Sequence, residues 1–311
     1  MRPSSFSYQV KEEFLELEKE KGLLEDSFIA DLWLGMVLAS SATFMSKEIT
    51  VKSQHRPFIE TIDQVAKSLT GEEGDIQVNK NFYTWKTDKP DAVASLRENL
   101  EDTLGYEFLR ANVTEQAENF EEEERMCLLR AVFLAVGSMA APEKSYQIAL
   151  SFRRPQVLAF CQDLLDLANI SNFVQESFTG SVLYIKNGDC IADFLAETGA
   201  NKSYLDFESV RVRKNMNEQV NRTVNFDTAN MGRIAESAAR QIAIIKALDD
   251  KDLLDTLPDE LQEVARVRFE NPGYSLRELG DLLVPPIGKS GVYHRLGKLE
   301  TLAKELLEEI K

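Results

Sequence analysis

One pattern is written twice along this chain, and a duplicated pattern fixes an architecture more tightly than any single motif. An apolar helical run at 28–44 (FIADLWLGMVLASSATF) leads to a strand at 48–53, an amphipathic helix at 56–69, two strands with a tight turn at 75–87 and a helix at 91–100. A second apolar run at 127–139 (CLLRAVFLAVGSM) restarts the order, with a strand at 145–152, a helix at 154–168, a strand pair at 173–186 and a helix at 189–198. The Arg-Pro dipeptides opening the two middle helices begin at Arg56 and Arg154, 98 residues apart. The periodicities therefore predict two tandem αβαββα units.

The leading helix of each unit is apolar nearly all round and ends in small residues, Ala39, Ser40 and Ser41 in the first and Ala135, Val136, Gly137 and Ser138 in the second. Small residues let helices approach closely, so the pair is expected to cross at a pseudo-twofold axis. In this the sequence resembles the LAGLIDADG homing endonucleases, whose motif helices pack in that way beneath saddle-shaped sheets that lie along DNA. Laid on that motif, LLRAVFLAVGSM keeps the Gly-Ser ending, but the two acidic positions fall on Leu134 and Val136, and in the first repeat on Val37 and Ala39. The resemblance implies that carboxylates at the helix ends hold divalent metal, and a hard cation needs oxygen ligands that Ala39 and Val136 lack. Cleavage would require acids from elsewhere, such as Asp31 or Glu143, for which capping or surface charge is the plainer reading. No catalytic residue, metal or cofactor is expected.

The C-terminal fifty residues carry a different signal. Ser275 followed by Glu278 is a capping box, and Leu276, Leu279, Leu282 and Leu283 fall on one apolar face. Val284, Pro285, Pro286, Ile287 and Gly288 stop that helix, and a second begins near Lys289 or Ser290 with Val292, Leu296 and Leu299 at core spacing. Lys289, Ser290, Tyr293, His294, Arg295 and Lys298 are left facing outwards. This is the pattern of a helix-turn-helix. No acid occurs between Leu282 and Leu299 in a chain of formal net charge −16, so the window is where a polyanion could dock. A helical hairpin with no ligand is the competing reading. The short and hydrogen-bonding Lys289, Ser290 and Gly291 at the start of the second helix favour DNA.

Length and composition bound the rest. A chain of 311 residues, 43% of them hydrophobic, can bury a sizeable core in two or three domains. It has no transmembrane stretch, and MRPSSFSYQVKEEF has no apolar signal core, which predicts a cytoplasmic, nucleoid-associated protein that does not engage membrane. Cys127, Cys161 and Cys190 are scattered and odd in number, consistent with small core residues, and with only His55 and His294 besides there is no zinc spacing. Residues Glu121 to Glu124 suit the positive end of a helix dipole.

Between these parts, residues 204–230 (YLDFESVRVRKNMNEQVNRTVNFDTAN) are dense in amide and hydroxyl groups, at Asn217, Asn221, Asn225, Thr228 and Asn230. Such residues cap and join helices, so a hinge is the first reading, with Arg211, Arg213, Lys214, Asn221 and Arg222 as hinge or DNA contacts. The alternation SVRVRK is consistent with a basic strand or an extended tether. A helix at 231–248 then leads to a C-terminal domain whose first helix begins near Pro258.

The NxxVNRxVNxxTAN run at 217–230 and KSGVxHRLxKL at 289–299 together resemble the WhiA family of bacterial sporulation and cell-division regulators, along essentially the whole chain. The first motif helix, at 33–41, departs from the Asn-Gly-Ser ending usual in that family. The resemblance implies an α+β body of tandem αβαββα LAGLIDADG-like repeats with pseudo-twofold symmetry, catalytically silent, followed by an all-α helix-turn-helix domain. The expected limits are 1–105 and 106–201 for the repeats, 202–255 for a linker and bridging helix, and 256–311 for the helix-turn-helix. The implied function is non-enzymatic DNA binding in transcription regulation, sporulation, cell division and chromosome segregation. Its expected partners are double-stranded DNA and RNA polymerase or another transcription or division regulator, bound by a monomer. An adaptor with secondary DNA contact is the alternative, and an active homing-type endonuclease stands third.

Overall fold

A helix that the duplicated pattern does not contain stands ahead of it. Helix α1 (Phe6–Glu20) starts at the N-cap Ser5, whose hydroxyl accepts from Tyr8 N, and it buries Val10, Phe14, Leu15 and Glu18. Its many acids and lysines hide this apolar row, and only its packing on later helices makes the row visible. The computed structural model describes residues 5–107, 112–113, 116–178 and 180–308. The chain divides into two compact units, Met1–Arg213 and Lys214–Lys311.

In the first unit the duplication is explicit. The first repeat runs α2 (Ser27–Ser41), β1 (Thr43–Met45), β2 (Glu48–Ser53), α3 (Arg56–Thr70), β3 (Asp75–Asn79), β4 (Phe82–Thr87) and α4 (Pro90–Leu104). A small ladder of β5 (Tyr106–Glu107) and β6 (Asn112–Val113) follows. The second repeat runs α5 (Glu122–Val136), β7 (Gly137–Met139), β8 (Ile148–Phe152), α6 (Pro155–Leu167), β9 (Phe173–Ser177), β10 (Gly180–Ile185) and α7 (Gly188–Glu197). Thr179, between β9 and β10, lies outside the described residues. Both sheets are antiparallel and share one topology, β1-β2-β4-β3 and β7-β8-β10-β9.

Each repeat thus holds one strand more than the periodicity predicts. β1 and β7 are three residues long and follow directly from the end of a motif helix, too short to show a period of two. The motif helices α2 and α5 pack directly against each other, which their small residues allow. In α5, Glu121 and Glu124 form a reciprocal capping box and Glu122 and Glu123 complete an acidic first turn. All three cysteines are buried and unpaired, and burial pushes the Cys127 and Cys161 thiols up.

His55 shows how a repeat is fastened. It caps α3, with Nδ1 accepting from Phe58 N at 3.2 Å, and its ring lies 4.3 Å from that of Tyr8. Burial, reinforced by the charge of Lys11, lowers its pKa from 6.5 to about 4. Between those values the unfolded chain takes up a proton that the folded chain refuses. Stability is therefore intact above pH 6.5 and falls on acidification towards pH 4, by roughly 2–3 kcal/mol from this group alone. Asparagine keeps a cap acceptor but does not titrate. In urea melts at pH 7 and pH 5, His55→Asn should lose less stability on acidification than the parent, and an equal loss would contradict this account.

Helix α8 (Asn201–Asp249) takes up most of the stretch expected as linker and bridging helix. Its first turn is capped by Glu13 of α1, whose carboxylate accepts from Lys202 N at 2.7 Å and Ser203 N at 3.0 Å. Residues 211–214 are helical, neither a strand nor an extended tether, so Arg211 and Arg213 point about 200° apart. The amide-rich run 217–230 is helical as well, and Thr223 Oγ returns its hydrogen bond to Gln219 O at 3.0 Å.

In the second unit, a 3₁₀ turn at Leu254–Thr256 precedes α9 (Asp259–Glu270), α10 (Leu276–Leu282) and α11 (Lys289–Glu308). Leu261, Val264, Leu279, Leu283, Val292, Leu296 and Leu299 form its core with Ile245 and Leu248 of α8. Leu282, expected on the apolar face, is exposed, because α10 ends there and the chain turns away. Among the described residues no helix is long and apolar enough to cross a membrane.

Candidate nucleic-acid interface

The helix-turn-helix geometry comes from two local devices. Ser275 and Glu278 form the expected capping box, Ser275 N donating to Glu278 Oε2 at 2.7 Å and Glu278 N to Ser275 Oγ at 3.4 Å. The turn then closes on Gly280, with Ile287 N donating to Gly280 O at 3.0 Å. A Cβ at Gly280 would stand 2.1 Å from the Ile287 carbonyl oxygen, so this closure requires glycine. Helix α11 starts at Lys289 as expected and buries Val292, Leu296 and Leu299.

Those three anchors fix what α11 presents. Lys289, Ser290, Tyr293, His294 and Lys298 are exposed, and the Tyr293 and His294 rings meet edge-on at 5.9 Å. Arg295 is only 23% exposed in its side chain, and its guanidinium stands 3.7 Å from both Glu260 and Glu263 of α9. Lys298 Nζ is 3.8 Å from Glu260. The window without acids in the sequence is therefore not without acids in space, because α9 packs on α11 and brings two carboxylates to it. Glu263 also accepts from Val284 N at 2.8 Å, tying the turn and Arg295 to the same carboxylate. Glu260, Glu263 and Gly280 are the supporting residues that sequence reasoning missed. The i, i+3 spacing of the two acids was the only sign, and it shows a shared face without naming what that face meets.

The residues singled out on α8 are dispersed. Arg211 is held by Asp189 and Glu208, and Arg222 lies 3.4 Å from Glu218. Arg213 and Asn221 are exposed, and Lys214 is half-buried with interactions of its own.

At the ends of the motif helices, cations stand where the resemblance would put metal-binding acids. The Arg154 guanidinium donates to Ala39 O at 2.6 Å and Ala42 O at 2.5 Å, and Lys11 Nζ donates to Leu134 O at 2.9 Å. Each thereby satisfies carbonyls at the negative end of a helix dipole. Burial lowers the Lys11 pKa to about 8. Asp31 accepts from Asn99 Nδ2 at 2.7 Å and lies eight residues before Ala39, about 12 Å back along α2. Glu143 is exposed in a turn. Among the described residues no three His, Cys, Asp or Glu side chains converge to hold a metal ion.

Comparison with known proteins bears on both units. The WhiA LAGLIDADG-like domain model matches residues 125–217, and the WhiA C-terminal HTH domain model matches residues 220–303. The probable cell division protein WhiA of Clostridium botulinum is 31% identical over 98% of this chain and 100% of its own length. That of Desulfitobacterium hafniense is 33% identical over 99% of this chain and 98% of its own. The crystal structure of full-length DUF199/WhiA from Thermatoga maritima superposes with a TM-score of 0.54 at 25% identity, covering 97% of this chain and 99% of that one.

Proposed function

The chain belongs to the WhiA family, and we propose that it is a non-enzymatic DNA-binding regulator of cell division, with residues 256–311 as its DNA-contacting part. The observation that carries this is the exposed first half of α11, where Lys289, Ser290, Tyr293 and His294 project from a helix whose opposite face is anchored in the core. Lys289 supplies phosphate charge, Ser290 a hydroxyl for a phosphate or base edge, and Tyr293 and His294 a planar and hydrogen-bonding surface. Lys298 joins them, since a pair exposed as it is with Glu260 is worth at most about 1 kcal/mol and exchanges readily for phosphate. Arg295 positions α11 on α9. In this reading the duplicated body performs no cleavage, because Arg154 and Lys11 occupy the helix ends and would repel a divalent cation.

Transcription regulation, with roles in sporulation and chromosome segregation and with RNA polymerase or a division factor as second partner, is the finer form of this proposal. The name of the relatives, probable cell division protein WhiA, supports the division role. An adaptor role has one observation in its favour. Met216, Val220, Val224 and Met231 are exposed at the spacing of one face of α8, and exposed apolar rows attract partners.

The test is duplex binding by the full chain. Lys289→Glu should lower affinity at least roughly tenfold through charge reversal, whereas Arg211→Ala should leave it within about twofold. The reverse ranking would move the interface from α11 to α8.

A further inference from the structure

A second anion site is built into the duplicated body, away from the helix-turn-helix. A cleft of about 770 Å³ opens at the ends of the motif helices and between the two sheets. Lys52, Arg153 and Arg154 line it together with Ser40, Ser151 and Thr50, the last already donating its hydroxyl to Glu48 Oε1 at 3.0 Å, and none of its described lining residues is acidic. Asp and Glu outnumber Lys and Arg by 52 to 36 in this chain, so a cleft with three cations and no carboxylate is a concentrated exception. Phe44, Val136 and Val182 give the same cleft an apolar wall.

Ser40 points to an occupant. It is 5% exposed, yet its hydroxyl has no hydrogen-bond partner, while the adjacent Ser41 hydroxyl returns its bond to Val37 O at 2.9 Å. A buried hydroxyl left unsatisfied is costly, and a rotation of the Ser40 side chain towards the adjoining cleft would let it donate to an acceptor oxygen bound there. Arg154 is already oriented by Ala39 O and Ala42 O and by the Phe44 ring at 5.4 Å, and a guanidinium so held keeps further N–H groups.

We propose that this cleft binds a mononucleotide. Cations and hydroxyl donors without carboxylates suit the several acceptor oxygens of a phosphate, and the apolar wall suits a base or sugar. The volume falls within the range of small-ligand sites, far larger than a phosphate alone requires. A duplex lying across the sheets would reach Lys52 and Arg153, which are exposed, and not the buried Ser40 hydroxyl. The site stands or falls independently of DNA binding by α11.

Calorimetric titration of the full chain with the four ribonucleoside triphosphates and their monophosphates tests it, with inorganic phosphate and a DNA duplex as comparisons. At least one nucleotide should bind. Its affinity should fall about tenfold in Lys52→Ala/Arg153→Ala and markedly in Ser40→Ala, whereas Lys289→Glu should leave it unchanged. Ser40→Ala should melt no lower than the parent without nucleotide, since it deletes an unsatisfied group, and this separates lost binding from lost folding. Absence of nucleotide binding, affinity unaffected by these cleft variants, or inorganic phosphate binding as tightly as any nucleotide would overturn the proposal. So would duplex binding that depends on Lys52 and Arg153 with no nucleotide bound.

Discussion

The Arg130→Met substitution is expected to destabilise the duplicated body by about 3–5 kcal/mol, as removing one partner of a buried ion pair does. Arg130 sits in the middle of α5 at 1% exposure, and Glu18 of α1 is fully buried against it, with Nε to Oε1 at 2.5 Å. The guanidinium also donates to Glu123 at 2.9 Å and to Thr198 O at 3.4 Å. Methionine fills the volume but leaves the Glu18 carboxylate in an apolar interior without a counter-charge. The cost lies in that orphaned charge, so the double variant Glu18→Leu/Arg130→Met should recover most of the loss. Urea denaturation decides the matter. A single variant within about 1 kcal/mol of the parent would mean that water reaches the pair.

Gly280→Ala is the second large effect. The new methyl would meet the Ile287 carbonyl oxygen at 2.1 Å and Val292 Cγ2 at 3.1 Å, and the first of these is backbone, which cannot rotate aside. The turn must open, the hydrogen bond from Ile287 N to Gly280 O must lengthen, and the start of α11 must shift with it. Duplex affinity should fall at least about tenfold, the equivalent of some 1.4 kcal/mol, while the unfolding of the first unit is unchanged. The expected signature is therefore a defect confined to the second unit. Unaltered affinity would show that DNA binding does not depend on the geometry of this turn.

Where local chemistry marks a boundary, the chain is legible. Arg56 opens α3, Lys289 opens α11, and Ser275 with Glu278 sets the start of α10, each as their spacing predicts. Legibility fails where a long-range partner decides. β1 and β7 are strands because β2 and β8 pair with them, and three residues carry no period of their own. The amides of α8 argue locally against a helix, since Asn and Thr are weak helix formers, yet residues 217–230 are helical. On α11 the outward set was readable from period alone. That Arg295 faces Glu260 and Glu263 depends on how α9 packs, which no window around Arg295 contains. The same holds for Arg154, whose place on the Ala39 carbonyl spans 115 residues of sequence.

The salt dependence of duplex binding by the full chain tests the central claim most directly. For an interface built on Lys289 and its neighbours, the logarithm of affinity should fall linearly with the logarithm of salt concentration, and Lys289→Ala should make that slope shallower by about one unit. An identical slope for parent and variant would contradict the assignment of α11 as the DNA-contacting helix.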